Sequence, residues 1–271
     1  MNRDVWPLEP GPEKEWFYDD GFWEQFAPVM FDHKRMAEIS RVADGIIRLA
    51  RPDTSRRSGP SAGSSPLRVL DLCCGFGRIT LELARRGFSP VGVDVTKAYL
   101  ETARDDAASE NLDIEFVQSD IRAFKRPSAF DLAVNLYISF GYFANPEDDR
   151  LAAQNAWDSL KEGGVFIIET LGKETAVRDF VEAEWFERAG FMVLTHYAPL
   201  DSWSLLENRW ILIDQKDGRR IEKTFVQRLY AASELRRLLF DAGFSTVELY
   251  GGWDESPYDH RAEALIAVGR K

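Results

Sequence analysis

Residues 68–84 read RVLDLCCGFGRITLELA, and this stretch decides the fold. The apolar run at residues 69–72 is typical of a buried parallel strand, and the apolar positions at residues 79–84 are typical of the packed face of a helix. Gly75 and Gly77 lie between them and can adopt backbone conformations that side chains disfavour. A ligand can therefore approach the main chain closely, at a helix N-terminus with free N–H groups. The stretch predicts a strand, a binding turn and a helix.

Composition and charge favour a globular protein that acts on a small molecule. The 271 residues suffice for one large domain, or for one domain with an insertion. A hydrophobic content of 45% provides a core, and an aromatic content of 13% suggests a pocket or lid as well. The net charge of −11 argues against a broad phosphate-binding surface, so we expect no nucleic-acid partner.

The cysteines and the N-terminus favour a cytoplasmic location. Cys73 and Cys74 are neighbours, so they cannot link distant parts of the chain by a disulfide. Residues 1–14 contain no apolar leader, and no run of about 18 apolar residues occurs that would span a membrane. We expect a cytoplasmic monomer or homodimer without a membrane partner.

The chain divides into three predicted segments. Residues 1–51 predict an N-terminal helical cap rich in aromatic side chains, and residues 52–66, rich in serine, glycine and proline, predict a flexible linker. Residues 67–271 form the predicted core. Within it, residues 191–230 predict a small antiparallel β lid, because three β segments follow one another there.

Strands and helices alternate along the core, which predicts a doubly wound α/β sheet. Ligands of such sheets bind at the carboxyl ends of the strands. Five polar residues fall at those ends: Asp71, Asp94, Asp120, Asn135 and Glu169. Asp94 also follows the glycine turn at about the 20-residue distance where nucleotide-binding units place an acid for the ribose hydroxyls.

Several other cofactor sites are disfavoured by their spacing rules. The dinucleotide fingerprint G-x-G-x-x-G would require a glycine at the position of Thr80. Neither a G-x-x-x-x-G-K-[ST] phosphate loop nor an H-E-x-x-H helix occurs in the sequence. His33, His196 and His260 are too widely spaced for a metal motif, so we expect no metal.

In order and spacing, these motifs resemble the class I S-adenosylmethionine-dependent methyltransferases over about residues 67–269. Residues 69–77 resemble the first motif of that family, and Asp94 matches its ribose-binding acid. Residues 119–121 match the segment that frames adenine, with Asp120 accepting from the exocyclic amine. Residues 135–137 match the segment that faces the methionine end and the acceptor.

The resemblance implies a seven-stranded, mostly parallel Rossmann-like methyltransferase fold, with S-adenosylmethionine as cofactor and S-adenosylhomocysteine as product. Parts of the chain also resemble small-molecule enzymes, including sugar-amine and glycine N-methyltransferases. The residues expected to bind the cofactor are Tyr18, Asp71, Cys73, Gly75, Gly77, Arg78, Asp94, Val95, Ser119, Asp120, Ile121, Asn135 and Leu136.

The expected reaction is in-line methyl transfer to an amine or hydroxyl of a small molecule, with placement as the main task of the enzyme. A hydroxyl acceptor would need a base, for which His196 is a further candidate. The catalytic candidates are Tyr137, Glu169 and His260. The substrate-binding candidates are Trp23, Phe140, Trp203, Arg209 and Tyr230.

Two alternatives from other functional classes stay open at the level of sequence. One is a catalytically silent S-adenosylmethionine-binding module that acts through protein partners. The other is a nicotinamide-dependent oxidoreductase, since both folds share a glycine turn and a downstream acid. Titration with S-adenosylmethionine and with NAD would distinguish these possibilities.

Overall fold

The structure is a computed structural model that describes residues 15–31, 33–51 and 65–271, with the side chains of residues 33–36 left out. All but the last two positions of the linker predicted at residues 52–66 lie outside the described residues. The side chain of His33 also lies outside them.

The described ranges contain seven α-helices and eleven strands. The helices are α1 (Asp20–Met30), α2 (His33–Ala50), α3 (Arg78–Arg85), α4 (Lys97–Ser109), α5 (Pro146–Ser159), α6 (Lys173–Arg178) and α7 (Ala232–Asp241). The strands are β1 (Arg68–Leu72), β2 (Ser89–Asp94), β3 (Glu115–Gln118), β4 (Phe130–Asn135), β5 (Leu160–Thr170), β6 (Ala183–Arg188), β7 (Phe191–Leu200), β8 (Leu205–Asp214), β9 (Arg220–Arg228), β10 (Thr246–Tyr250) and β11 (Leu265–Arg270).

Seven of these strands form the central sheet, in the order β10-β11-β5-β4-β1-β2-β3. Five neighbouring strands, β5, β4, β1, β2 and β3, pair in parallel. Strand β11 pairs antiparallel with both β5 and β10. The strand order reverses beside β1, which is where ligands bind in doubly wound sheets. The predicted seven-stranded, mostly parallel fold is confirmed.

Helices cover both faces of the central sheet. On one face, α2 and α3 pack their apolar stripes on the sheet, including the fully buried Ile46 and Leu83. On the other face, α5 and α7 contribute Ala153, Leu235 and Leu239 to the core. Helix α2 is thus a layer of the core, and only the segment before it has the position of a cap. The predicted domain boundaries themselves stay a prediction.

A second sheet of four antiparallel strands, in the order β6-β7-β8-β9, forms the lid. Its inner face packs on α1, where Phe22, Phe26 and Val29 contact Val193 and Leu212. The sequence predicted β7, β8 and β9 but missed β6, so the lid begins before residue 191. Strand β6, with the sequence AEWFER, lacks the alternation of apolar and polar residues that predicts a strand, because it lies at the exposed edge of the sheet, where Trp185 is 65% exposed.

Among the described helices, none combines the length and the apolar character needed to cross a membrane.

Candidate functional site

One cavity of about 540 Å³ lies where the carboxyl ends of the central strands face the lid. The glycine turn and the polar residues after β2 and β3 contribute to its wall. So do the loop after β4 and the inner face of β7, β8 and β9. The cavity therefore brings together segments that are more than one hundred residues apart in the sequence.

The turn after β1 is held open by backbone geometry and by one carboxylate. Cys73, Gly75 and Gly77 have φ values of 60°, 55° and 70°, in the left-handed region that favours glycine. The two oxygens of Asp94 accept hydrogen bonds from the N–H groups of Gly75 and Thr96, each at 2.8 Å. Asp94 is thereby fixed at the end of β2 beside the turn, and its remaining lone pairs are available to hydroxyl donors.

A second carboxylate, Asp71, lies buried at the base of the same turn. It is 4% exposed and accepts a hydrogen bond of 2.6 Å from the hydroxyl of Thr80. Burial raises the pKa of Asp71 to about 7, and the charge of Asp94 adds to the rise, while Thr80 and Arg78 oppose it. The pKa of Asp94 is also raised by burial, although its bonds to backbone N–H groups lower it.

We expect Asp71→Asn to change how stability depends on pH in the ligand-free protein. The folded pKa of about 7 exceeds the ordinary value of 3.8, so the folded state binds the extra proton between these values. The contribution of Asp71 to stability is complete below the unfolded pKa and is lost as pH rises through the folded pKa. From about pH 5 to about pH 7, wild type should lose about 2 kcal/mol relative to Asp71→Asn.

Urea unfolding of both proteins at several pH values measures this difference. The asparagine keeps an oxygen for Thr80, so the hydrogen bond is conserved in the variant. Parallel pH profiles for the two proteins would show that Asp71 does not titrate in this range.

Asp120 connects the cavity to the N-terminal cap. Its carboxylate accepts from the Arg122 guanidinium at 2.7 Å and from the hydroxyl of Tyr18, and Arg122 also pairs with Glu15 and Asp148. Burial raises the pKa of Asp120, but the bonds to Arg122 and Tyr18 outweigh it and hold that pKa below its usual range. The adenine-amine role of Asp120 stays a prediction, because these partners already occupy both oxygens.

The two cysteines of the turn are not poised for thiol chemistry. Burial raises the pKa of both thiols well above the ordinary value, and the nearby Asp94 raises it further. Since the thiolate is the reactive form, Cys73 and Cys74 serve as small packing residues of the turn. No cluster of histidine, cysteine, aspartate and glutamate within the described ranges could hold a metal ion.

The loop after β4 adopts a strained conformation at the cavity. Tyr137 and Ile138 have φ values of 55° and 63°, although neither is glycine. The Glu169 carboxylate, at the end of β5, accepts a hydrogen bond from the N–H of Tyr137, and its backbone oxygen accepts from Ile138. Glu169 does not line the cavity. It therefore supports the strained loop from behind, which is a positioning role.

Two substitutions separate this positioning role of Glu169 from general-base catalysis. We expect Glu169→Gln, which keeps an oxygen acceptor for Tyr137, to retain kcat within about threefold. Glu169→Ala should lower kcat about 30-fold, because the charge-assisted hydrogen bond to the strained loop is removed. Steady-state kinetics measures both variants. Equally severe losses in Gln and Ala would instead identify Glu169 as a base.

The lid contributes a wall that the sequence did not predict. Asn208 and Gln227 are each 6% exposed, and both line the cavity. Aromatic side chains of the cap, the loop after β4 and the lid line the same cavity: Trp23, Tyr142, Tyr197, Trp203, Trp210 and Phe225. Alternation along β8 and β9 is the only sequence signal for this wall, and it does not reveal which alternate set faces inward.

Charge in the described cavity wall is strongly one-sided. Arg78 is the only cation there, and its guanidinium lies 4.5 Å from the ring of Phe31 and 5.0 Å from that of Tyr137. The described wall contains no lysine or histidine. Its carboxylates are those of Asp71, Asp94, Asp120, Asp179, Glu184 and Glu263. Apart from Arg78, the wall therefore favours neutral or cationic groups.

Most of the predicted site residues are brought together. The predicted residues that line the cavity are Trp23, Asp71, Cys73, Gly75, Arg78, Asp94, Val95, Ser119, Asp120, Ile121, Leu136, Tyr137 and Trp203. Three others support it: Tyr18 through Asp120, Gly77 as the residue that precedes α3, and Asn135, whose amide donates to the Leu72 carbonyl.

Three substrate-binding candidates do not reach the cavity, and the structure corrects these predictions. Arg209 points to the outer face of the lid and pairs with Glu222 at 2.6 Å. Tyr230 is buried and donates a hydrogen bond of 2.7 Å to Asp149. The ring of Phe140 packs against Tyr230 within the core, with ring centroids 5.8 Å apart.

The two histidine candidates also lie elsewhere. His260 lines a separate surface depression with Arg178 and Tyr258. His196 is exposed on the outer face of the lid, opposite Arg209 in the β7–β8 ladder. Neither histidine can act as a base on a molecule inside the cavity.

Comparison with known proteins places this site in context. A sequence model of the family described as "Methyltransferase domain" matches residues 69–164, which contain the turn, Asp94, Asp120 and the loop after β4. A relative from Geobacillus sp. (strain WCH70), provisionally named a methyltransferase, is 23% identical over 75% of this chain and 84% of its own length.

Solved structures share the fold over nearly the whole chain. The CcbJ methyltransferase from Streptomyces caelestis has a TM-score of 0.74 and 18% identity, covering 95% of this chain and 99% of that one. An amino pentose methyltransferase from Micromonospora echinaspora, solved with S-adenosylmethionine bound, has a TM-score of 0.67 and 20% identity. That match covers 92% of this chain and 96% of that one.

Proposed function

We propose that this chain, which contains a methyltransferase domain over residues 69–164, is a class I S-adenosylmethionine-dependent methyltransferase that methylates an amine or a hydroxyl of a small molecule held between the sheet and the lid. The enzyme class and the methyl donor agree with the sequence-based prediction. The observation that carries the proposal is the shared cavity, whose wall combines the glycine turn with the inner face of the lid. The fold of the amino pentose methyltransferase supports it.

The residues at the turn have the chemistry that S-adenosylmethionine requires. The Asp94 carboxylate, fixed by two backbone N–H groups, suits the two ribose hydroxyls. Arg78 is the one cation in the described wall and suits the carboxylate of the methionine moiety. Ser119 and Ile121 suit the adenine, which would lie beside the cap.

S-adenosylmethionine supplies an electrophilic methyl group, which the acceptor lone pair attacks in line with the breaking carbon–sulfur bond. The protein places the acceptor close to that carbon, which can supply about 7–11 kcal/mol of the barrier. Aromatic side chains of the cap and lid exclude water, and their faces favour positive charge.

The charge of the chain supports a small acceptor over nucleic acid. A net charge of −11 disfavours binding to the many phosphates of a nucleic acid. The volume of about 540 Å³ suits a small molecule beside the donor.

Calorimetric titration with S-adenosylhomocysteine and a transfer assay with methyl-deuterated S-adenosylmethionine test the proposal. We expect S-adenosylhomocysteine to bind and the deuterated methyl group to appear in a product of low molecular mass. Binding without any transfer to small molecules would instead support a silent module that acts through protein partners. Absence of binding would overturn the donor site.

A further inference from the structure

The side-chain amides of Asn208 and Gln227, on the inner face of the lid, indicate which kind of acceptor the cavity binds. Asn208 on β8 lies opposite Phe225 on β9, and Gln227 lies opposite Leu206, so the amides are diagonal neighbours on the inner face. Diagonal side chains on neighbouring strands lie within about 7–8 Å, so that both can contact one bound group. Each is 6% exposed, and both line the cavity.

Backbone carbonyls determine how both amides are oriented. The Asn208 amide nitrogen donates to the carbonyl of Leu206 at 3.0 Å, and the Gln227 amide nitrogen donates to the carbonyl of Ile138 at 3.2 Å. Since a carbonyl oxygen can only accept, the NH₂ groups must face the protein. Both amide oxygens are thereby left for a bound molecule, together with one remaining N–H hydrogen of each amide.

Neither amide oxygen accepts a hydrogen bond from any of the described residues. Neither oxygen is among the buried polar atoms of the described residues that lack a partner, so both are accessible from the cavity that the two residues line. A ligand that donates two hydrogens would satisfy both oxygens. The wall around them is aromatic and, apart from Arg78, carries only negative charge, so it suits a group that becomes cationic.

We propose that the acceptor is a primary amine, whose two N–H hydrogens bind Asn208 Oδ1 and Gln227 Oε1. This inference rests on the proposed function and specifies its acceptor. With both hydrogens held by the lid, the nitrogen lone pair is the part of the group left to face the methyl carbon. A hydroxyl has one hydrogen and would leave one amide oxygen unpaired.

The reaction balances without a protein base. The neutral amine forms the new N–CH₃ bond as the S–CH₃ bond breaks. The products are an N-methylammonium and neutral S-adenosylhomocysteine. The ammonium keeps both hydrogens on the two amide oxygens and afterwards loses one proton to water. The lack of histidine and lysine in the described wall is compatible with this chemistry. The monomethylated product has one N–H as a free amine, so a second methylation should be slower.

Selective blocking of amines tests the acceptor class. A small-molecule extract of the source organism is incubated with the enzyme and methyl-deuterated S-adenosylmethionine, before or after acetylation by acetic anhydride in aqueous bicarbonate. Hydroxylamine then cleaves the phenol esters, so that only amines stay blocked, and the reagents are removed before the enzyme is added. Label in the untreated extract that disappears after acetylation supports the proposal. Label that survives acetylation overturns it but leaves small-molecule methylation intact. If neither extract is labelled while S-adenosylhomocysteine still binds, the proposed function fails, and this inference fails with it.

Substitutions of the two amides test their role on the labelled acceptor. Asn208→Leu and Gln227→Met keep the size of the side chain but remove the oxygen. Each should lower kcat/KM for the acceptor about tenfold, with unchanged affinity for S-adenosylhomocysteine. Gln227→Glu keeps an oxygen acceptor but loses the NH₂ group that donates to the Ile138 carbonyl, so only partial recovery is expected. Thr224→Val, at an exposed position of β9, is the matched control.

The result that would overturn the role of the amides is wild-type kcat/KM in Asn208→Leu and Gln227→Met. If one variant fails to fold, the other decides the question, because wild-type kcat/KM in a folded variant of either amide contradicts the assignment.

Discussion

Asp94→Ala is expected to reduce the affinity for S-adenosylhomocysteine about 100-fold. The carboxylate would make charge-assisted hydrogen bonds to the ribose hydroxyls, and losing them costs about 3 kcal/mol. Its loss also leaves the N–H groups of Gly75 and Thr96 without their acceptor, so the turn loses its support. Isothermal titration calorimetry of wild type and variant measures the effect.

Two further variants make this experiment specific to Asp94. Asp105→Ala removes an exposed carboxylate from α4 and should leave the affinity unchanged. Asp94→Asn keeps one oxygen acceptor but places an NH₂ group against a backbone N–H, so an intermediate affinity is expected. Binding by Asp94→Ala within threefold of wild type would remove the ribose assignment.

Gly141→Ala is expected to destabilise the protein by about 3 kcal/mol and to impair methyl transfer. Gly141 has a φ of 100°, and an added Cβ would lie 2.5 Å from the backbone oxygen of Arg228. The carbonyl of Gly141 accepts from the N–H of Arg228 at 2.7 Å, which ties the loop after β4 to the lid strand β9. A methyl group there must separate these two parts of the cavity wall.

Arg228 cannot move away easily from the added methyl group, because its own side chain is held in place. Its guanidinium lies 3.4 Å from the buried Asp149 carboxylate, which also accepts the hydroxyl of Tyr230. We therefore expect the melting temperature to fall by about 10 °C, as measured by calorimetry. The kcat should fall as well, because the loop carries Tyr137 and contacts Gln227 through Ile138.

Gly163→Ala is the matched control for Gly141→Ala. Gly163 has a φ of 72°, but an added Cβ there would have no atom within 4 Å. Gly163→Ala introduces the same backbone strain but no steric clash. We therefore expect the free energy of unfolding to fall by about 1 kcal/mol and kcat to stay normal. Equal effects of the two substitutions would show that contact with Arg228 does not matter.

The donor half of the cavity was predictable because its signals are local. A continuous apolar run, two glycines and an apolar helical face determine a strand–turn–helix unit without reference to distant residues. The carboxyl ends of parallel strands meet at one edge, so Asp71, Asp94 and Asp120 had to lie together once the strands were assigned.

The acceptor half was predicted poorly because antiparallel strands have two equivalent faces. Arg209 was selected and Asn208 was not, although they are adjacent, and a shift of one residue exchanges the faces of a strand. Packing of α1 against Val193 and Leu212 decides which face is inside. That contact joins residues far apart in the chain, and no sequence pattern within β8 or β9 predicts it.

The role of Glu169 shows the same limit within the central sheet. Its position at the end of β5 was correctly predicted, but that position does not distinguish a base from a support. The left-handed conformation of Tyr137 and Ile138, and the hydrogen bond from Tyr137 to the Glu169 carboxylate, show that Glu169 supports this loop. Backbone strain at residues other than glycine is invisible in the sequence.

By itself, the sequence determined the doubly wound sheet, the glycine turn and the acid at the end of β2, because each depends on short-range periodicity and spacing. The tertiary structure decided the lid side of the cavity wall, including the two oriented amides and the hydrogen bond between Gly141 and Arg228 that joins the loop to the lid. The physical reason is that these features depend on which faces pack together and on which backbone carbonyls the side chains meet. Both follow from contacts between segments that the chain order keeps apart.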